Sequence, residues 1–263
     1  MSKSQERLLQ LEFDAGNTRI KWRLRQQENG QGWRTLASDA LMAPEKIPSA
    51  FLRMREQFNE LPLQDIDRVL VASVRGPSFQ EALSSFLFEK LALSSEFVVV
   101  NSEGVALQHC YEDDTRLGVD RWLAMLAAYT RCQDACVVVD CGTTITVDMV
   151  DAKGRHLGGY IVPGLQMMRG VLTNRSRALA TPELPFGEVA PGRDTASAIH
   201  HGILALVSGF LRNLPSSLPP ALEAPRWYLT GGDAPLVLPY LEQPAELVPD
   251  LVLDGLVLAP RRS

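Results

Sequence analysis

Two stretches of this chain carry the same residue types in the same order. One is Asp14-Ala15-Gly16-Asn17-Thr18-Arg19-Ile20-Lys21-Trp22; the other, 126 positions later, is Asp140-Cys141-Gly142-Thr143-Thr144-Ile145-Thr146-Val147-Asp148. Each reads Asp-x-Gly-polar-Thr between two apolar runs. Those types suit phosphate and its counter-ions. A glycine lets backbone N–H groups approach an anion without a Cβ in the way, short hydroxyls add donors, and a carboxylate holds a hydrated cation. Lys21 adds a point charge that reaches back toward a phosphate from the following strand. No Gly-Lys pair occurs, which excludes a P-loop, and no Gly-x-Gly-x-x-Gly dinucleotide fingerprint is present. A single Asp-x-Gly turn is common in α/β proteins; two copies, each between strands, are a more specific signal.

Two further segments fit a phosphotransfer site. Leu117-Gly118-Val119-Asp120-Arg121 opens a helix with a carboxylate and a guanidinium. Asp120 reads either as an N-cap or as a proton acceptor for a substrate hydroxyl, with Arg121 gripping a substrate carboxylate. Trp227-Tyr228-Leu229-Thr230-Gly231-Gly232-Asp233 runs a short strand into a double glycine. That is a place for a flat ligand against the backbone, or a plain left-handed turn.

The elements that must hold these residues alternate. Strands are expected at 8–13, 20–24, 33–37, 68–74, 97–100, 135–139, 145–150 and 157–162. Helices are expected at 77–90, from Asp120 with Trp122, Met125, Leu126 and Tyr129 on one face, and at 165–177 and 195–211. The alternation implies an α/β protein, and the internal echo implies two similar domains, at 1–116 and 117–263. Met167 and Met168 are expected to fill core gaps, and Trp22 and Trp122 to pack. His156 is open between a pocket and a surface role, and the role of Asp148 is undecided.

Composition narrows the partners. Of 263 residues, 46% are hydrophobic and 22% charged, which excludes a disordered chain. A net charge of −5 with scattered basic residues disfavours nucleic acid and anionic membranes as partners. The first ten residues lack the apolar core of a secretory signal, and no apolar run is long enough to span a bilayer, so a cytoplasmic location is expected. Cys110, Cys132, Cys136 and Cys141 are then expected as reduced thiols, without zinc-site spacing.

Taken in order, these motifs resemble the type III pantothenate kinases. The resemblance rests on D-x-G-N-T-x-x-K-W from Asp14, G-x-D-R-W-L-A from Gly118, D-x-G-T-T-x-T-x-D from Asp140, H-L-G-G-Y-I-x-P-G from His156 and T-G-G-D from Thr230. It implies two ribonuclease H-like domains of the acetate and sugar kinase, heat-shock chaperone and actin superfamily, facing across a nucleotide cleft. It implies ATP-dependent phosphorylation of pantothenate to 4′-phosphopantothenate, the first step of coenzyme A biosynthesis. By the same resemblance Asp14, Ala15, Gly16, Asn17, Thr18, Arg19, Ile20 and Lys21 bind ATP, with Mg²⁺ held by Asp14 through water, and Thr143 contacts the nucleotide. Asp120 is the catalytic base. Tyr111, Gly118, Val119, Asp120, Arg121 and Thr195 bind pantothenate, with Thr195 supplied across a homodimer interface. Asp140 holds a monovalent cation, K⁺ or NH₄⁺. The alternatives are a sugar or acetate kinase on the same scaffold, an ATP-binding regulator of the Bvg accessory factor type, and, more weakly, a phosphohydrolase.

Overall fold

The computed structural model describes residues 7–28, 32–42, 65–173 and 189–260. Two five-stranded sheets organise them. In the first, β1 (Arg7–Ala15) pairs antiparallel with β2 (Arg19–Glu28), which pairs antiparallel with β3 (Arg34–Met42). On its other side β1 runs parallel to β4 (Arg68–Ser73), and β4 parallel to β5 (Ser95–Phe97). The helix α1 (Pro77–Leu91) connects β4 to β5. Pro77 sits in its first turn, and Ala92, in the left-handed region at φ 54°, closes it with an N–H to the Phe88 carbonyl.

The second sheet repeats that plan strand for strand. β6 (Cys136–Cys141) pairs antiparallel with β7 (Thr144–Val150), and β7 with β8 (His156–Pro163); β6 also runs parallel to β9 (Arg226–Thr230), and β9 to β10 (Ala245–Leu247). The echo between Asp14 and Asp140 is therefore an echo of topology. Each aspartate lies near the end of the central strand, just before the hairpin turn. The helix α2 (Val119–Cys132) precedes this sheet, while α3 (Leu165–Thr173) and α4 (Thr195–Asn213) lie between β8 and β9, and α5 (Leu251–Leu256) follows β10. A capping box between Asp194 and Ser197 starts α4.

Period-two burial gives each sheet an apolar face. Leu9, Leu11, Phe13 and Ala15 of β1, with Ile20, Trp22 and Leu24 of β2, pack on Phe79, Leu83 and Leu87 of α1. Val137, Val139, Ile145 and Val147 pack on Ile203, Val207 and Leu211 of α4. Each fully buried Val, Leu, Ile or Phe among them contributes about 1.5–3 kcal/mol of hydrophobic free energy.

Several expectations change. The strand expected at 97–100 is the shorter Ser95–Phe97. Helix α2 is buried all round from Trp122 to Ala128, so it is a core helix instead of a one-faced one. Met168 packs on the core, but Met167 is exposed. Residues 174–177 of the expected third helix lie outside the described residues. The chain divides into two compact units that interleave in sequence, where consecutive halves at 1–116 and 117–263 were expected. Met1–Val105, Tyr111–Ala124 and Val252–Ser263 form one; Ala106–Cys110 and Met125–Leu251 form the other. The reason lies in the last helix: Gly255 packs so tightly on the Leu123 backbone that a Cβ there would sit 2.0 Å from the Leu123 carbonyl oxygen. Among the described residues no helix is long and apolar enough to cross a membrane, and no group of three or more His, Cys, Asp or Glu is arranged to hold a metal.

Candidate active site

In the first unit the turn is shorter than the motif. β1 continues through Ala15 and β2 begins at Arg19, leaving Gly16-Asn17-Thr18 as the connection. Asp14 thus belongs to a strand, directly across from Lys21. Both stand on the face of the sheet opposite the α1 core, where a carboxylate and an ammonium side by side suit a cation-bound phosphate. Ala15 and Ile20, by contrast, are fully buried in the core. Their side chains cannot touch a ligand, so only their backbone groups remain available.

Two residues back along the same face is a buried ion cluster that lies outside every motif. Glu12, fully buried, accepts hydrogen bonds from Arg23 Nε at 2.8 Å, Arg25 Nε at 3.1 Å and Gln10 Nε2 at 2.8 Å, and pairs with Arg23 Nη2 at 2.7 Å. Arg23 Nη1 also donates to Asp254 of α5 at 2.8 Å. Burial opposes the charge on Arg23, but Glu12 and Asp254 outweigh it and hold its pKa above the ordinary guanidinium value. Burial likewise weighs on Arg25, and with Arg23 repelling it the attraction of Glu12 is insufficient, so its pKa is lowered. The signal was present in the alternation: Gln10, Glu12 and Asp14 fall between Leu9, Leu11, Phe13 and Ala15.

The start of α2 supplies the second group of this unit. The helix begins at Val119, so Asp120 lies inside the first turn and is not its N-cap. Its Oδ1 accepts the Arg121 backbone N–H at 2.7 Å. Gly118 makes room for it, since a Cβ there would lie 2.6 Å from that oxygen. Arg121 Nη1 donates to the Tyr111 hydroxyl at 3.0 Å, and the guanidinium stands 5.9 Å from the ring centroid. Tyr111, Asp120 and Arg121, named separately from sequence, are thus brought together, each half-exposed.

In the second unit the turn after β6 is held by glycines from two other segments. Gly142 N–H donates to the Thr144 carbonyl at 3.0 Å, and Gly164 N–H to the Thr143 carbonyl at 3.0 Å. Gly231, at φ +92°, lies so close that a Cβ would come within 2.4 Å of both Asp140 Oδ1 and the Cys141 carbonyl oxygen. The double glycine is therefore more than a turn: Gly231 lets the chain pass close to Asp140 Oδ1 and the Cys141 carbonyl oxygen, and Asp233 N–H ties back to that carbonyl at 2.9 Å. Oxygen-only donors suit a hard monovalent or divalent cation. Thr195 is the first residue of α4 and exposed. It lines an 890 Å³ apolar groove with Met167, Val171, Leu172 and Leu206. His156 is neither surface nor open pocket. It is buried against Asp148, with Nε2 donating to Oδ1 at 3.0 Å.

Comparison with known proteins gives the family. The sequence model of a family described as type III pantothenate kinase matches residues 10–216. A type III pantothenate kinase of Pseudomonas fluorescens (strain SBW25) is 35% identical over 261 residues, covering 95% of this chain and 98% of the relative. One from Marinobacter nauticus is 36% identical over 244 residues, covering 93% and 95%. Among solved structures, a Campylobacter jejuni protein assigned to the Baf family of transcriptional activators superposes with a TM-score of 0.56 at 22% identity, covering 94% and 96%. Component A of (R)-2-hydroxyglutaryl-CoA dehydratase from Acidaminococcus fermentans gives 0.54 at 14%, covering 96% of each chain. At those identities the superpositions speak for the fold alone.

Proposed function

The chain belongs to the type III pantothenate kinase family, enzymes that phosphorylate pantothenate in coenzyme A biosynthesis, and from that premise we propose how its residues divide the reaction. The family uses ATP, and phosphoryl transfer asks mainly for in-line positioning and neutralisation of spreading negative charge. Asp120 accepts the proton of the pantothenate hydroxyl as that oxygen attacks the γ-phosphorus; ADP leaves, and the products are 4′-phosphopantothenate and the proton. Arg121, oriented by Tyr111, grips the pantothenate carboxylate as a guanidinium fork.

The Asp14–Lys21 pair, with the backbone of Gly16, Asn17 and Thr18, takes the ATP phosphates. Asp14 near the end of β1 and Thr18 in the turn that follows offer hard oxygens that would hold a hydrated Mg²⁺. That ion, when bound, supplies charge neutralisation on the phosphate oxygens. Asp140 and the carbonyl of Cys141 fit a monovalent cation, K⁺ or NH₄⁺, and Thr143 contacts the nucleotide. We propose a homodimer through the α3–α4 groove, where Val171 and Leu206 are 56% and 58% exposed, with Thr195 at its edge offered to the substrate of the other copy.

The observation that carries the reading is the cluster of Asp120, Arg121 and Tyr111, a base and a carboxylate grip at one helix start. A coupled ADP-release assay with pantothenate tests it. Asp120→Asn is expected to lower kcat by about 10²–10⁴-fold with nucleotide binding nearly unchanged. Full turnover in that variant would remove Asp120 from the base role.

A further inference from the structure

Cys110, His156 and Asp148 have no part in the phosphoryl-transfer chemistry above, yet they stand in line. The Cys110 thiol donates to His156 Nδ1 at 3.5 Å, and His156 Nε2 donates to Asp148 Oδ1 at 3.0 Å. A carboxylate only accepts, so that pairing places the ring hydrogen on Nε2 and turns the Nδ1 lone pair toward sulfur. His156 and Asp148 are 2% and 1% exposed, whereas Cys110 is exposed. An accessible nucleophile backed by a buried imidazole, itself oriented by a buried carboxylate, is the arrangement that activates thiols and hydroxyls in unrelated folds.

The local fold holds these three in register. The segment before Cys110 is zipped onto the β7–β8 turn: Gln108 N–H donates to the Gly154 carbonyl at 2.8 Å, and His156 N–H to the Gln108 carbonyl at 2.8 Å. Gly159, across from Asp148 on β8, leaves the space that the carboxylate occupies; a Cβ there would lie 2.7 Å from Asp148 Oδ1. The wall behind the thiol is thus built by three chain segments.

We propose that Cys110, His156 and Asp148 form a second reactive site, in which the Cys110 thiol exchanges with low-molecular-weight disulfides. His156 Nδ1 takes the thiol proton as the sulfur attacks one sulfur of the disulfide. The old S–S bond breaks as the new one forms, and the departing thiolate recovers the proton from His156. One thiol is oxidised and one released, so no other oxidant is needed. Excess free thiol reverses the step.

The test uses the full chain with its cysteines reduced and glutathione disulfide as the probe, at pH 7, with modification at each cysteine read by digestion and mass spectrometry. The comparator is a synthetic peptide of residues 106–115. An ordinary thiol is only about 3% thiolate at pH 7, which caps the gain from complete deprotonation at about 30-fold. Cys110 in the chain is expected to form the mixed disulfide about 10- to 30-fold faster than in the peptide. A rate at or below that of the peptide overturns the proposal. His156→Gln is expected to return Cys110 to the peptide rate while the buried Cys136 and Cys141 stay protected, which reports a native fold. A fast Cys110 in that protected variant overturns it equally. Should the variant unfold, the comparison of wild type with peptide still decides.

Discussion

Replacing Glu12 by Gln isolates the buried ion cluster from everything around it. The amide keeps the shape but converts one acceptor oxygen into a donor and removes the charge. Glu12 has four N–H groups around it: hydrogen bonds from Arg23 Nε, Arg25 Nε and Gln10 Nε2, and an ion pair with Arg23 Nη2. Turning one end of the side chain into an NH₂ faces donor against donor for about two of them. At about 1.5–3 kcal/mol for each hydrogen bond to a charged group, the loss is about 3–6 kcal/mol. Arg23 keeps Asp254, so the top of that range is not reached and about 3–5 kcal/mol is expected, the usual cost of breaking a buried ion pair. Guanidinium unfolding followed by tryptophan fluorescence suits the measurement. Trp22, Trp33 and Trp122 all belong to the unit that contains Glu12, and only Trp227 lies in the other. A second arm replaces Glu12 by Leu and both Arg23 and Arg25 by Met. Asp254, whose side chain is 26% exposed, can then turn to water. That triple variant is expected to recover most of the loss, because the desolvation cost of three buried charges goes with them. A loss below about 1 kcal/mol in Glu12→Gln would refute the reasoning, since it would mean that water already screens the cluster.

Three further outcomes follow from other parts of the molecule. Asp140→Asn is expected to weaken activation by K⁺ relative to Na⁺ in the ADP-release assay; an unchanged K⁺ response places the cation elsewhere. Asp151 is opposed by burial, but the N–H groups of Arg155 and Lys153 and the Arg155 guanidinium outweigh that and hold its carboxyl below the usual range. A lowered carboxylate pKa stabilises the fold fully above the unfolded value and loses that contribution as pH falls. The stability gap between wild type and Asp151→Asn should thus be complete above roughly pH 5 and narrow below about pH 4, and a gap constant with pH would contradict it. Leu206→Glu, in the middle of the exposed α3–α4 groove, is expected to convert a dimer to monomer in sedimentation; a dimer that survives it uses another face.

The sequence made the two aspartate turns and most of their flanking strands legible, because the alternation of Leu9, Leu11, Phe13 and Ala15 with polar residues is a local signal. It also named Asp120, Arg121 and Tyr111, which meet because the short segment after Tyr111 returns to the same helix start. What stayed hidden depends on long-range return of the chain. Asp254 reaches Arg23 from 231 positions away, and Cys110 reaches His156 from 46. Neither pairing leaves a periodic trace. The three-residue strands Ser95–Phe97 and Ala245–Leu247 are too short to show alternation, and parallel partners alone define them. Asp120 stayed open between an N-cap and a proton acceptor, because only the geometry shows the helix starting one residue earlier, at Val119.

The placement of Val252–Leu256 has a consequence for biosynthesis. A nascent chain exposes its first sheet long before the residues that pack on Leu123 and bind Arg23 leave the ribosome. At about 5–20 residues per second, the interval between Val105 and Val252 lasts roughly 7–30 s. Throughout that wait Glu12 and the two arginines beside it lack their last counter-charge, so the later-made unit has time to finish folding before the earlier one is sealed.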